Sequence, residues 1–214
     1  MTAPGFVPSA SLRHPSNNNS ETETETMTSC ISNFDVQALR DTAQAISNDP
    51  ALGATTFSST SSWQRDSLVE STIHDFRVGG AACTRSRAHR VVTDLPPELF
   101  GGDQGATPLE LALSGLTACI TTTTAVRAAA AGVILRSLRV DVEGDLDLRP
   151  FLDVTEEVRV GFQRVRLVVR IDVDLPEAEA ERFVREAVAK SPVVDLFQLG
   201  TEVVVQQQAE VAAG

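Results

Sequence analysis

The stretch 107–131, TPLELALSGLTACITTTTAVRAAAA, decides the fold of this chain. It opens with a threonine, a proline at the first helical position and Glu110 at the third, which is the pattern of a capping box. It then runs without another proline to Gly132, a residue type that commonly ends helices. Because its first half has no polar face, the pattern predicts a helix buried on all sides, with Cys119 near its middle.

On the C-terminal side of this helix the hydrophobic pattern changes to a period of two. From residue 163 apolar side chains alternate with charged ones, which predicts a strand with one wet face. The sequence Asp-Leu-Pro-Glu at 174–177 repeats the capping pattern and predicts a second helix. The predicted elements are strands over 135–146, 163–174 and 202–205, a loop over 148–160, and a helix that begins at 177 and that Lys190-Ser191-Pro192 closes.

On the N-terminal side the pattern predicts a short helix followed by two strands. Apolar residues at 36, 39, 43 and 46 form one helical stripe, and Trp63 is expected to anchor the core. The predicted elements are a helix over 33–48, strands over 68–78 and 84–93 joined at Gly79-Gly80, and a rigid loop over 95–102. Strands, a buried helix, more strands and another helix indicate an α+β fold.

The length indicates one domain with appended segments, because 214 residues exceed a typical domain of ~150 by less than half. The polar run at 17–26 has almost nothing to bury, so a disordered tail is expected there. We predict a tail over 1–30, an N-terminal helix and linker over 31–62, the main domain over 63–207 and a C-terminal tail over 208–214.

Composition and motifs exclude several classes of function. With 29 acidic and 18 basic residues, the net charge of −11 disfavours nucleic acid and anionic lipid. No window approaches the ~18 uninterrupted apolar residues of a membrane span. The cysteines, Cys30, Cys83 and Cys119, are too few and too scattered for a disulfide framework or a zinc site, which favours a reducing cytoplasm. No metal or nucleotide motif is present, and we expect no cofactor.

Cys119 has two interpretations from the residues alone. A free cysteine in a buried helix commonly serves as a small hydrophobe. The middle of a helix also lies too far from the first turn for the helix dipole to favour a thiolate. A reactive Cys119 would therefore require a cation from another element.

The segment PLELALSGLTAC, which ends at Cys119, closely resembles the signature of the OsmC/Ohr family. The resemblance covers roughly residues 63–205, with a weaker match for the first helix. Further matching segments, in family order, are Asp94-Leu95-Pro96-Pro97, Gly101-Gly102, 138–147, Gly161-Phe162-Gln163 and Ser191-Pro192-Val193.

This resemblance implies an interlaced homodimer with two long helices packed back to back. It also implies a thiol-dependent peroxidase for organic hydroperoxides, in which Cys119 attacks the peroxide and becomes a sulfenic acid. In the family an arginine stabilises the thiolate and a glutamate orients the arginine. Arg77 lies nearest the expected place of that arginine, and Arg85 and Arg87 compete with it.

The chain departs from the family pattern at two positions. The resolving cysteine normally precedes a proline where this chain has Ser191, so an external thiol, or Cys83 or Cys30, would have to reduce the sulfenic acid. The family's glutamate normally stands where this chain has Leu109. Glu110 is nine residues from Cys119, or ~900° of helical rotation, so we expect it to point away and to serve the capping box.

We therefore predict a cytoplasmic, homodimeric, cysteine-dependent reductase of organic hydroperoxides that uses an external thiol as reductant. The leucine-rich helix would line its pocket with apolar groups, which favours an organic peroxide over hydrogen peroxide. The alternative is a non-catalytic dimer that binds a small apolar ligand. A purely structural dimer is the third interpretation.

Overall fold

A computed structural model describes residues 34–207, and it has the mixed helix and antiparallel-sheet architecture that the sequence predicts. The strands of this part of the chain form two three-stranded sheets, β1-β4-β5 and β2-β3-β6, and the hairpin β7-β8. The helices are α1 (Val36–Asn48), α2 (Pro108–Ala131), α3 (Glu177–Val188) and α4 (Pro192–Leu199). The strands are β1 (Thr55–Thr56), β2 (Ser59–Arg65), β3 (Leu68–Ile73), β4 (Phe76–Val78), β5 (Ala81–Cys83), β6 (His89–Thr93), β7 (Leu135–Asp145) and β8 (Arg164–Val173).

The capping box predicted at the start of α2 is confirmed. The Glu110 backbone N–H donates to Thr107 Oγ1 at 3.1 Å, and the Thr107 backbone N–H donates to Glu110 Oε2 at 2.7 Å. The second of these hydrogen bonds is the main reason that the pKa of Glu110 is lowered. At the other end Gly132 adopts the left-handed conformation, with φ 69°, and its N–H bonds back to the last turn.

Threonines in α2 bond to the helix backbone rather than to other elements. Thr121 Oγ1 donates to the carbonyl of Thr117, and Thr124 Oγ1 donates to that of Ile120, both at 2.8 Å. Each of these hydroxyls therefore has a hydrogen-bond partner within its own helix, and neither needs a partner from another element.

The core lies between α2, the β7-β8 hairpin and α4. Leu116, Ile120 and Val194 form its buried centre, and the inward side chains of β7 and β8 pack against them. The outward face of the hairpin carries cross-strand ion pairs, including Arg166 with Asp145 and Arg136 with Asp172. The alternation predicted for 163–174 therefore separates the core from a charged, wet face.

Several predicted elements are corrected by the structure. Ser191 does not simply end a helix: it is the N-cap of α4, which the sequence analysis did not predict. Asp174 does not cap α3, because its carboxylate accepts the Ile134 N–H at 2.8 Å. Trp63 is 73% exposed on β2 and does not anchor the core. Residues 202–205 form no strand in the single chain, and their valines are exposed.

Only some of the expected segment boundaries fall within the residues that the structure describes. The tails predicted over 1–30 and 208–214 lie outside the described residues. β2 runs through the expected boundary between 62 and 63, so residues of the predicted linker belong to the β2-β3-β6 sheet.

The prediction that α2 is buried on all sides is wrong for a single chain. Its buried residues lie along one side: Leu116, Ile120, Thr124, Ala128 and Ala129. By length and composition α2 could cross a membrane, and 17% of its most apolar window is buried. Core helices of folded domains share the other features of α2. These features are the capping box, the hydroxyl-to-backbone hydrogen bonds, and the packing against β7, α3 and α4.

Candidate functional site

Cys119 lies on α2 at the border between the buried side and the exposed side of the helix. Its thiol is free and half-buried, and within residues 34–207 it forms no hydrogen bond. The adjacent residue Ile120 is fully buried, whereas Ala118 is exposed. A thiol at this border can be reached from outside the core and still contact apolar groups.

A groove of about 480 Å³ opens between the first half of α2, the start of β8 and α4. On α2 its lining residues are Leu109, Ala112 and Leu116. Leu116 precedes Cys119 by three residues, which corresponds to a rise of ~4.5 Å and a rotation of ~300° around the helix axis. Ala112, seven residues before Cys119, lies within ~20° of it around the helix axis. The groove therefore ends one helical turn from the thiol.

The groove combines apolar side chains with polar residues. Phe162 and Phe197 stack in it, with ring centroids 6.2 Å apart, and Arg159 and Arg164 are among its lining residues. The Arg159 Nε is 3.4 Å from the place that a Cβ on Gly161 would take, so this side chain folds back over the groove wall. Neither arginine forms a salt bridge with a described residue, but Arg164 lies opposite Asp145 in the hairpin. The pKa of Asp145 is lowered mainly by its hydrogen bond from Arg166 and further by the charge of Arg164.

A second cavity, of about 350 Å³, adjoins the groove at the N-terminal end of α2. Leu109 lines both spaces, and Val160 in the second cavity follows Arg159 directly in the chain. The other side chains of this second cavity are apolar except at Thr107: Leu95, Leu99, Phe100, Pro108, Leu146, Leu148, Phe151 and Leu152.

One wall of the second cavity is a loop organised by Asp94. Its buried carboxylate accepts hydrogen bonds from Ser67 Oγ at 2.5 Å and from the backbone N–H groups of Leu95, Gly102 and Gln104. The Ser67 bond is the largest of the effects that lower the pKa of Asp94. Any Cβ on Gly101 would lie 1.9 Å from the Leu95 carbonyl oxygen, so the loop can close only with glycine there.

The structure places the predicted thiolate partner, Arg77, on β4 and exposed to solvent. Within residues 34–207 of one protomer its side chain makes no ion pair or hydrogen bond, with Cys119 or with any other residue. Its competitor Arg85 is engaged elsewhere: its Nε donates to the His74 carbonyl, and its guanidinium lies 5.1 Å from the Phe76 ring centroid. A role for Arg77 at the thiol therefore stays a prediction that requires a second protomer.

Ser191 has a structural role as the N-cap of α4. The residue is 2% exposed, and its Oγ accepts the Val194 N–H at 3.4 Å to cap α4. Val194 packs against Leu116 and Ile120, so the helix that Ser191 caps packs on the part of α2 that contains Cys119. Cys83 is also free and lies on β5 in another sheet, and Cys30 lies outside the described residues.

The sequence places Arg159 in the predicted loop and Arg164 on the wet face of the strand that begins at 163, and it indicates neither as a residue of this site. No periodicity shows which side of a loop Arg159 takes. No group of three or more His, Cys, Asp or Glu residues in the described part of the chain could hold a metal ion.

Comparison with known proteins places this geometry in a family. The family model described as OsmC-like protein matches residues 101–206, which include α2, β7, β8, α3 and α4. No curated protein matches the sequence significantly.

Solved structures with a similar fold include three from bacteria. An OsmC-like protein from Mycoplasma pneumoniae aligns with a TM-score of 0.52 at 20% identity, covering 67% of this chain and 88% of that one. An organic hydroperoxide resistance protein OsmC from Legionella pneumophila gives 0.46 at 20% identity, covering 68% and 90%. An organic hydroperoxide resistance protein from Elizabethkingia anophelis gives 0.42 at 14%, covering 67% and 89%.

At these identities the structural likeness to the Mycoplasma protein shows the fold alone, and the family model independently covers the segment that carries Cys119. The chain therefore carries an OsmC-like segment over residues 101–206, within a fold similar to that of the Mycoplasma protein.

Proposed function

We propose that this protein is a cysteine-dependent reductase of organic hydroperoxides with Cys119 as its reactive thiol. The observation that carries the proposal is the position of Cys119: a free, half-buried thiol one helical turn from an apolar groove, within the segment that matches the family model. An apolar groove favours an alkyl or aryl peroxide over hydrogen peroxide, because the organic group loses contact with water on binding.

The proposed chemistry divides into two half-reactions. The Cys119 thiolate attacks the peroxide oxygen distal to carbon, the O–O bond breaks, and the alkoxide takes a proton to leave as an alcohol. The sulfur is thereby oxidised to a sulfenic acid. One external thiol then displaces water and forms a mixed disulfide, and a second thiol releases Cys119 and leaves as a small-molecule disulfide.

The need for an external thiol follows from the place of Ser191. A hydroxyl cannot form a disulfide, and this one is buried and occupied as a helix cap. Cys83 lies on β5 in the β1-β4-β5 sheet, whereas Cys119 lies on α2, which packs mainly against β7, α3 and α4. The reductant is therefore a low-molecular-weight thiol or a separate dithiol. Free thiols at both described cysteines suit a reducing compartment, and we propose the cytoplasm.

The active unit that we propose is an interlaced homodimer. Leu111, Gly115, Ala118 and Thr122 are spaced by four, three and four residues, so they form one stripe on α2, and the last three are exposed. Pairing this stripe with its copy would bury the apolar face that the single chain leaves open. The exposed valines at 203–205 are likewise free to add a strand to the partner.

The proposed dimer would also explain why no arginine accompanies the Cys119 thiol in the single chain. A nearby positive charge favours a thiolate, and among residues 34–207 of one protomer no arginine forms a hydrogen bond with Cys119. We propose that Arg77 approaches the thiol of the partner subunit when the chains interlace.

Turnover of cumene hydroperoxide with excess dithiothreitol tests the function. The wild-type protein and a Cys83→Ser variant should consume peroxide at similar rates, and Cys119→Ser should be inactive. Equal activity of the wild type and Cys119→Ser, or none in either, would rule the peroxidase out.

A non-catalytic apolar-ligand carrier is the second candidate, and the observation that favours it is Leu109. Where the family has a glutamate, this leucine joins two cavities into an apolar space. Ligand binding by a wild-type protein that does not consume peroxide would establish this alternative.

A further inference from the structure

Not every threonine of α2 bonds to the helix backbone. In the run of four that follows Ile120, Thr121 and Thr124 donate to carbonyls of the preceding turn, at 2.8 Å each. The hydroxyls of Thr122 and Thr123 form no hydrogen bond within the part of the chain that the structure describes, although a helical threonine can reach a carbonyl three or four residues back. Two hydroxyls of this run are therefore free to bond elsewhere.

These two residues come three and four positions after Cys119, so both are its neighbours on the helix surface. Four residues correspond to a rise of ~6 Å and a rotation of ~40° beyond a full turn, which puts Thr123 and Cys119 on one side of α2. Helical side chains lean toward the N-terminus, so that of Thr123 is directed toward Cys119. Thr123 is half-buried like the cysteine, whereas Thr122 is exposed. Thr123 is the better placed of the two, because water competes less for a half-buried hydroxyl.

The ionisable groups of the neighbouring elements are directed elsewhere. Those of β7 and β8 lie on the outward face of the hairpin, and every charged residue of α1, α3 and α4 is exposed to solvent. On α2 itself the nearest charged residue is Arg127, eight residues or ~12 Å beyond Cys119, and its guanidinium lies 3.8 Å from Glu186 of α3. Among the described residues of one protomer, the group best placed to stabilise a charge on Cys119 is therefore the Thr123 hydroxyl.

We propose that the Thr123 hydroxyl donates a hydrogen bond to the sulfur of Cys119 when the thiol ionises. The thiol proton goes to solvent, the hydroxyl keeps its own proton, and no covalent bond of the threonine changes. A hydrogen bond to the charged form of a group favours that form, so the hydroxyl increases the fraction of reactive thiolate. This inference rests on the proposed function, in which the thiolate attacks the peroxide. The hydroxyl adds to the charge that Arg77 would supply from the second protomer.

The rate at which iodoacetamide alkylates Cys119, measured across pH on the full-length protein, tests this hydrogen bond without peroxide. Peptide mass spectrometry follows the Cys119 peptide separately from those of the other cysteines. Thr123→Val keeps the shape of the side chain and removes the hydroxyl. The pH of the half-maximal rate should therefore rise by about one to two units, the effect of losing one hydrogen bond to a charged group. Thr123→Ser keeps the hydroxyl and should retain the wild-type profile.

Thr121→Val is the matched control, because the Thr121 hydroxyl bonds to the Thr117 carbonyl and lies ~200° around the helix from Cys119. Its pH profile should be that of the wild type. Thr123→Ala, a second variant without the hydroxyl, should repeat the shift of Thr123→Val. Unchanged profiles in both of these variants, a Thr123→Ser profile shifted as far as theirs, or an equal shift in Thr121→Val would overturn the proposal.

The hydrogen bond and the proposed peroxidase fail separately. A shifted alkylation profile in Thr123→Val, beside a wild-type protein that consumes no peroxide, would leave the hydrogen bond established and refute the peroxidase. Full peroxide turnover by the wild type, beside an unchanged profile in Thr123→Val, would refute the hydrogen bond alone. If both proposals hold, Thr123→Val should consume cumene hydroperoxide at least about tenfold more slowly than the wild type at a pH below both midpoints, and the difference should disappear above them.

Discussion

Replacing Gly115 with leucine should weaken the proposed dimer without destabilising the protomer. Apart from its chain neighbours and the backbone of its own helix turns, no heavy atom of the described chain lies within 4 Å of the place that a Cβ on this residue would take. In a single protomer the change therefore meets open space, and it gains helix propensity worth about 0.8 kcal/mol. In the proposed dimer the stripe that contains Gly115 would face its own copy, and the added side chain would have no room.

Overpacking of a close interface costs roughly 1–3 kcal/mol. That cost corresponds to about a 5- to 150-fold weaker dissociation constant, and two-fold symmetry makes the change occur twice in each interface. Sedimentation equilibrium over a range of concentrations measures this constant. Thermal unfolding of the dilute, monomeric Gly115→Leu protein should show a melting temperature no lower than that of the wild-type monomer.

Ala178→Leu is the matched control, because Ala178 is an exposed residue of α3 away from the stripe. It adds the same kind of apolar surface and should leave the dimer intact. If Gly115→Leu dimerises as tightly as the wild type, or if Ala178→Leu dissociates equally, α2 is not the surface that joins the protomers.

Two further predictions concern the residues that support the site. Asp94 has a lowered pKa in the folded state, so its stabilising contribution is present above its unfolded value of ~3.9 and is lost as the pH falls through the folded value. Asp94→Asn should therefore melt at a lower temperature near pH 7, the difference should shrink below about pH 4, and a constant difference would contradict this role. Ser191→Ala should cost about 1 kcal/mol of unfolding free energy in urea by loss of the α4 cap, and it should keep full peroxide turnover. A large loss of turnover at unchanged stability would instead give Ser191 a chemical role.

The elements that the sequence predicted well are those whose signals are local. The capping box of α2 needs residues three positions apart, and the wet face of β8 needs alternate ones, so each pattern determines its own geometry. Ser191 shows the limit: Ser-Pro was interpreted as the end of one helix, although the same pair begins another. Both interpretations fit the local residues, and the packing of Val194 on α2 decides between them.

Features that depend on distant partners could not be predicted. Trp63 has the composition of a core residue, but β2 is exposed along its whole length in the single chain. The exposure of one α2 face has the same origin, because a sequence does not show which apolar surface a second chain covers. Arg159 could not be predicted as a lining residue of the groove, since a loop has no period from which a side chain's direction can be inferred.

The central claim, that Cys119 is the reactive sulfur, is tested most directly by trapping its oxidised form. One equivalent of cumene hydroperoxide is added to the wild-type protein in the presence of dimedone, and peptide mass spectrometry then locates the adduct. The account predicts a dimedone adduct on the Cys119 peptide and an unmodified Cys83 peptide. A reduced Cys119 at a large peroxide excess, or equal labelling of the two cysteines, would contradict it.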